Sequence, residues 1–382
     1  MELEWWAPVR GQSGWEVLSR GLLCALDKLG VGIKLNAKDD WNMERCLIDN
    51  EDASRLRRMI RNRARRPIAQ VFHQWIAPTE FAGIRSDVPS RFVYSLFETD
   101  SCPTPWVDSF QRAKADVWVF SDFNKQTYER SGVERVKVMP FGVDCDRFNP
   151  SVEPMLIKNR KGFAFITNGD FTERKNFEGL IEAYVTEFTG SEDVSLIIKA
   201  HYGGFVRRYR TDVERRFKDI VKRFNATNPP QILLLGDKLP ENELPRFYRG
   251  GDCFVLASRG EGLGLPYAEA LASGVPVIAA KFGGQMQFLN EDNSYLVDCD
   301  VKQIDDMEYI RKSLWSLNHK WAHPNIDQLR KRMRFAFEFR DTVKQKGMAG
   351  RALMETMTWQ KAALWCINEC IAPIKSGEPV TA

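Results

Sequence analysis

No apolar run in this chain approaches the roughly 20 residues that a membrane-crossing helix needs, so the expectation is a soluble or at most peripheral protein. The start, MELEWWAPVR, carries acidic residues and lacks the apolar core of a secretory leader. There is no CxxC pair and no mixed Cys/His block. The eight cysteines (Cys24, Cys46, Cys102, Cys145, Cys253, Cys299, Cys366 and Cys370) are scattered, which argues against a zinc module and suits a reduced cytoplasmic interior. A net charge of +4 is too small to announce a nucleic-acid or membrane partner by itself. No internal repeat is visible, so a solenoid is not expected.

What the chain does have is alternation. Short β-rich runs at 68–72, 91–97, 116–120 and 136–139, and then at 162–167, 194–199, 232–235, 252–257 and 275–279, are separated by helical patterns. Strands alternating with helices predict parallel sheets covered on both faces. Leu18, Leu22, Ala25, Leu26 and Leu29 recur at helical spacing and predict a first crossover helix over 15–29. At 382 residues two domains are expected. Gly142, Pro150 and Pro154 punctuate a polar stretch between the two strand series, placing a hinge near Pro150. After Ala349 the sequence is again helical. Asp144-Cys145-Asp146 and Asp298-Cys299-Asp300 each spell DxD, a pattern that can hold a divalent metal; a hinge aspartate and a strand-end turn account for them, and no metal site is assigned.

The most informative stretch is SRGEGLGLPYAEALASGVPVIAA, from Ser258 to Ala280, with Glu261 and Glu269 eight positions apart. Gly260, Gly262 and Gly264 let backbone amides approach a ligand, Pro266 suits a first helical position, and Gly274 with Pro276 closes the helix ahead of a strand. Glu269 is thereby expected in the first helical turn. There its carboxylate can accept two hydrogen bonds from a vicinal diol such as a ribose. Glu261, on the preceding loop, faces whatever sits over the helix N-terminus.

This spacing and its surroundings resemble the signature of retaining glycosyltransferases of the GT-B fold, specifically glycosyltransferase family four (group 1). The resemblance implies an α/β protein with two Rossmann-like doubly wound domains facing an interdomain cleft: an acceptor-binding domain over 1–150, a nucleotide-sugar domain over 151–358, and a C-terminal helix over 359–382 crossing back to the first. Gly142, Val143, Asp144, Phe148 and Pro150 match the family's interdomain linker. By the same resemblance Glu269 holds the nucleotide ribose, Glu261 the transferred sugar, and the stretch Gly262, Leu263, Gly264 and Leu265 turns its amides to sugar and phosphate.

A diphosphate leaving group without a metal needs fixed cations and helix N-termini. NGDFTERKNFEGLIEAY follows a strand and opens a helix, and resembles the family's phosphate loop with Arg174 and Lys175 as the cations. It departs in carrying Asp170 where many members have arginine. Gly11 and Gly14 lie between the expected first strand and helix, where the family has a glycine-rich turn, so Gly14 is assigned to the diphosphate's other side. Lys238 follows a strand in a loop that lies near the base in the resembling fold. On the acceptor side, His73 ends a strand and is a candidate for acting on the acceptor or bonding the sugar; Glu98, in YSLFETDSCPTPW, is a second candidate. A histidine common in the family near Glu98 is absent, as are a glutamate near Gln287 and a glycine near Ser294. The implied chemistry is same-face transfer, with the departing phosphate oxygen taking the acceptor's proton. The donor is a UDP- or GDP-sugar and no cofactor is expected.

Arg55 to Arg66 reads RLRRMIRNRARR, seven arginines in twelve residues, with Leu56, Met59, Ile60 and Ala64 at helical spacing. Three uses compete for this basic amphipathic helix: an anionic membrane surface carrying a lipid-linked saccharide, at the inner membrane face; a nucleic-acid backbone, as in transfer to hydroxymethylated bases of DNA; or a solvated face. A glycan or lipid-linked acceptor is the favoured reading. Other classes on the same fold are an epimerase or a phosphorylase, for which no cofactor lysine is evident, and a noncatalytic nucleotide-sugar or nucleic-acid binding protein.

Overall fold

The structure is a computed structural model and describes residues 1–38, 51–73, 85–201, 208–224, 227–235, 239–240, 242–305 and 318–376. The chain divides into two compact units, one formed by Met1–Val143 with Met357–Ala382, the other by Asp144–Thr356. The sequence placed the hinge near Pro150.

Unit 1 holds six parallel strands: β1 (Glu2–Ala7), β2 (Gly32–Ala37), β3 (Ala69–His73), β4 (Ser90–Tyr94), β5 (Asp116–Val119) and β6 (Val136–Val138), in the order β2-β1-β3-β4-β5-β6. Helix α1 (Gly14–Lys28) connects β1 to β2, and α2 (Glu51–Arg61), α3 (Thr104–Ala113) and α4 (Asp122–Arg130) follow. The run at 91–97 is strand only as far as Tyr94, because the chain then turns out of the sheet into bends at Glu98. Aromatic rings fill the sheet faces: Trp6 stacks on Phe72 at 4.5 Å, and Phe92 on Trp118 at 4.2 Å.

On α2, Ala53, Leu56 and Met59 face inward while Arg57, Arg58 and Arg61 are exposed. Two of its arginines are committed to α1, since Arg55 and Arg58 both donate to Asp27, at 2.8 and 2.7 Å. Burial works against the Asp27 charge, but Arg58 and Arg55 outweigh it and hold the carboxyl below its usual range.

Unit 2 repeats the architecture with β7 (Phe163–Asp170), β8 (Val194–His201), β9 (Gln231–Leu235), β10 (Cys253–Leu256), β11 (Val277–Ala280) and β12 (Ser294–Val297). All pairings are parallel and the order is β12-β11-β10-β7-β8-β9. Helices α5 (Phe177–Glu187), α6 (Arg208–Phe224), α7 (Glu243–Arg249) and α8 (Leu265–Ala272) alternate with these strands. An antiparallel pair, β13 (Cys299–Gln303) and β14 (Lys320–Pro324), precedes α9 (Ile326–Glu338) and α10 (Arg340–Thr356). The core between sheet and helices gathers Phe165, Tyr184, Phe188, Leu196, Val255, Ile278 and Met333. Arg351 of α10 donates to the carbonyls of Cys145, Phe148 and Ala272 at 3.1, 2.7 and 2.7 Å, which ties residues 145–148 to the end of α8.

The last helix, α11 (Trp359–Ser376), belongs to unit 1. It buries Ala362, Ala363, Cys366 and Cys370 completely, sets Trp365 edge-on to Trp118 at 5.4 Å and pairs Glu369 with Lys137 at 2.6 Å. Among the described residues no helix is long and apolar enough to cross a membrane.

Candidate functional site

The strand order of unit 2 reverses between β7 and β10, and in an open α/β sheet the crevice outside the carboxyl ends at such a reversal is where ligands bind. Both loops at that point are polar and bound to each other. After β7 the chain makes a short 3-10 turn, Glu173–Lys175, and Asn176 enters the left-handed region at φ 52° to start α5. Asn176 Oδ1 accepts from the Gly179 amide at 3.3 Å while its Nδ2 donates to the Ala257 carbonyl at 3.0 Å, just past β10. The Arg259 amide donates to the Arg174 carbonyl at 2.7 Å. These cross-links bring Arg174, Lys175 and Glu261 together.

Lys175 Nζ donates to Glu261 Oε1 at 2.6 Å, and an Arg174 guanidinium nitrogen lies 3.4 Å from the same oxygen while donating to the Gly260 carbonyl at 2.6 Å. The Lys175 and Glu261 side chains are only 8% and 7% exposed. Burial by itself would push the Glu261 carboxyl up; Lys175 and Arg174 outweigh it, and the pKa falls below the usual glutamate value. The Arg174, Lys175 and Glu261 cluster therefore holds two cations against one ionised carboxylate in a mostly buried setting.

Gly264, at φ 84° and ψ 46°, turns the chain into α8, a conformation that a side chain strains. The helix begins at Leu265, so Pro266 occupies its second position and Glu269 lies beyond the first turn, one step deeper than expected. The cause is the left-handed turn at Gly264, which starts the helix early. A neighbouring glycine, Gly284, donates its amide to the Glu261 carbonyl at 2.7 Å, and a Cβ there would sit 1.8 Å from the Gly262 oxygen. Only a bare backbone can come so close.

Glu269 is 7% exposed and its Oε2 accepts from the Tyr248 hydroxyl at 2.8 Å. Tyr248 in turn accepts from Asn168 Nδ2 at 3.3 Å, and Asn168 Oδ1 accepts from Lys199 Nζ at 3.2 Å. Sequence reasoning assigned no role to Asn168 or Tyr248. The available signal was a polar residue closing the otherwise apolar run FAFIT.

In unit 1 the strand order reverses at β1 and β3. Gly14 is exposed as the first residue of α1, behind an N-cap at Ser13 whose amide donates to the Glu16 carboxylate at 2.9 Å. Arg20 donates to the Val9 carbonyl at 3.1 Å and to that of Gly11, which holds the loop between β1 and α1. His73 closes β3, fully enclosed, edge-on to Trp15 at 4.3 Å and to Tyr94 at 4.8 Å. Burial lowers its pKa to about 3, so it is a neutral imidazole at physiological pH. Glu98 is half-buried in the bend beyond β4. Lys238 lies outside the described residues.

Among the described residues no group of three or more His, Cys, Asp or Glu is arranged to hold a metal. Asp144 Oδ1 accepts from the Arg147 amide at 3.0 Å, and Asp298 accepts from Gln328 Nε2 at 3.2 Å while Asp300 pairs with Lys302 at 3.1 Å. Asp144, Asp298 and Asp300 are thus engaged in turn and surface contacts.

The architecture of two Rossmann-like units, each a six-stranded parallel sheet, is that of the GT-B class. Anabaena HepE, solved in complex with UDP and glucose, aligns with a TM-score of 0.67 at 14% identity over 97% of this chain and 100% of that one. Sucrose-phosphate synthase from Thermosynechococcus elongatus aligns at 0.69 and 15% identity over 98% and 100%. Residues 155–318 match the family model described as glycosyl transferases group 1, so the chain carries a domain of that family. The GDP-mannose-dependent monoacylated alpha-(1-6)-phosphatidylinositol monomannoside mannosyltransferase of Corynebacterium glutamicum is 31% identical over 179 residues, 44% of this chain and 45% of that protein. The UDP-Gal:alpha-D-GlcNAc-diphosphoundecaprenol alpha-1,3-galactosyltransferase of Escherichia coli is 28% identical over 176 residues, 43% and 41%. The matched stretch spans less than half the length of either relative.

Proposed function

We propose that the protein is a retaining glycosyltransferase that moves a sugar, without a metal, from a UDP- or GDP-sugar to a hydroxyl of a glycan or lipid-linked saccharide. The observation that carries this reading is the joining of Arg174, Lys175 and Glu261 at the topological reversal of unit 2, with Glu269 on the helix that follows. Lys175 has three N–H donors and gives one to Glu261, leaving donors for a diphosphate. Arg174 supplies a second cation where charge develops as the leaving group departs. The amides of Leu263 and Leu265 offer further donors, and Glu269 accepts from the ribose diol. Glu261 orients the transferred sugar through its hydroxyls.

In the transfer the bond between the anomeric carbon and the diphosphate oxygen breaks, and the acceptor oxygen bonds that carbon on the same face. The acceptor's proton passes to the departing phosphate oxygen. The names of the two curated relatives specify acceptors carrying a lipid-linked phosphate, which supports the same acceptor class here. The exposed Arg57 and Arg61 of α2 would then face an anionic membrane surface.

Calorimetric titration with UDP-, GDP-, ADP- and dTDP-sugars, chelator present, tests the donor half. One donor should bind the wild type and be lost in Glu269→Ala, while Glu261→Ala should retain binding and lose most turnover. Full activity in both variants would sink the assignment. The anomeric configuration of the product, read by proton NMR, tests retention.

A further inference from the structure

We propose that Lys199, Asn168 and Tyr248 form a one-way hydrogen-bond relay whose function is to hold the Glu269 carboxylate in the orientation that accepts a ribose diol. This rests on the donor-site reading above and adds three positioning residues to it. The relay crosses three elements of unit 2: Lys199 on β8, Asn168 on β7 and Tyr248 on α7, ending at Glu269 on α8. Its links are 3.2, 3.3 and 2.8 Å, and all four residues are buried.

The direction follows from chemistry. An ammonium only donates, so Asn168 must present its carbonyl oxygen to Lys199 and its amide nitrogen to Tyr248. Tyr248 therefore accepts from Asn168, and its single proton is left for Glu269. An ionised carboxylate can only accept, so the far end has the matching polarity. Burial, reinforced by the Glu269 charge, raises the Tyr248 pKa well above the usual phenol value, which keeps the proton in place. The ring itself is held edge-on to Phe148 at 5.9 Å and tilted against Phe254 at 5.7 Å. With one oxygen of Glu269 anchored by a fixed phenol, the carboxylate plane is set before any ligand arrives. Pre-organisation of this kind strengthens binding by removing an ordering cost.

Two near-isosteric variants separate this role from simple packing. Tyr248→Phe removes only the hydroxyl. Asn168→Asp still satisfies Lys199 but accepts on both sides, which draws the Tyr248 proton away from Glu269. The experiment measures binding of UDP and GDP and of their 2′,3′-dideoxy counterparts to wild type, Tyr248→Phe, Asn168→Asp and Glu269→Ala, with melting curves as a control for folding. The expected result is that both relay variants bind the ribonucleotide about tenfold more weakly, the loss typical of one hydrogen bond to a charged group, while dideoxynucleotide binding is unchanged. Equal weakening of ribo and dideoxy forms, or no weakening, in folded relay variants would overturn the relay. If Glu269→Ala keeps the wild-type preference for ribose, Glu269 is not the diol acceptor, and the donor-site reading fails together with the relay.

Discussion

Glu261 is caught between two demands, since burial favours its neutral form while Lys175 and Arg174 favour its charge. The cations prevail and the folded pKa is depressed. The unfolded chain therefore binds the proton first on acidification. The stabilisation is complete above the ordinary glutamate value of about 4.3 and is lost as pH falls from there through the lowered folded value. Urea unfolding at stepped pH should show a steeper acid loss in wild type than in Glu261→Gln, and identical slopes would refute the pairing. His73 behaves in the same sense by a different cause. Burial alone lowers its pKa to about 3. Between that value and about 6.5 the unfolded state holds the extra proton, so stability rises with pH by up to about 1.4 kcal/mol per unit. His73→Phe should flatten this part of the profile.

At the scale of elements, the site is a loop problem. The loop carrying Glu261 is shaped by the close approach of Gly284 to Gly262. Gly284→Ala must push the two loops apart, and we expect it to cost about 2 to 4 kcal/mol, in the range of severe backbone and overpacking changes. Donor binding should fall with it. Differential scanning calorimetry alongside donor titration would check both; an alanine variant melting and binding like wild type would show that the loops have room to spare. Arg351 plays a comparable part away from the site. Its loss leaves the Cys145, Phe148 and Ala272 carbonyls without their shared cation.

At the scale of the molecule, unit 2 is one continuous segment with its own sheet, core and candidate donor site, whereas unit 1 is completed by the chain's return in α11. A fragment spanning 144–356 should therefore fold and bind the donor with an affinity close to that of the full chain. Deleting 357–382 should leave that binding intact while unit 1 loses the helix that sets Trp365 against Trp118 and pairs Glu369 with Lys137. Circular dichroism melts and donor titration of both truncations test this, and an unfolded 144–356 fragment would show that unit 2 depends on unit 1.

The alternation of strands and helices, and with it the parallel sheets covered on both faces, could be read along the chain because burial of both sheet faces writes near-continuous apolar runs into each strand; the GT-B class was implied by the resemblance of the Ser258–Ala280 stretch to a known family. The Glu261 and Glu269 spacing was equally legible, since glycines, a proline and two carboxylates lie within a single turn and helix. The start of α8 was misplaced by one residue because Gly264, not Pro266, sets it. What no local pattern could reveal is which strand ends meet. Arg174 and Lys175 reach Glu261 only because β7 lies beside β10, and Lys199, Asn168 and Tyr248 line up behind Glu269 only because β8 lies on the other side of β7. Strand order is decided by how whole sheets bury their faces, so these contacts between distant residues belong to the tertiary structure alone.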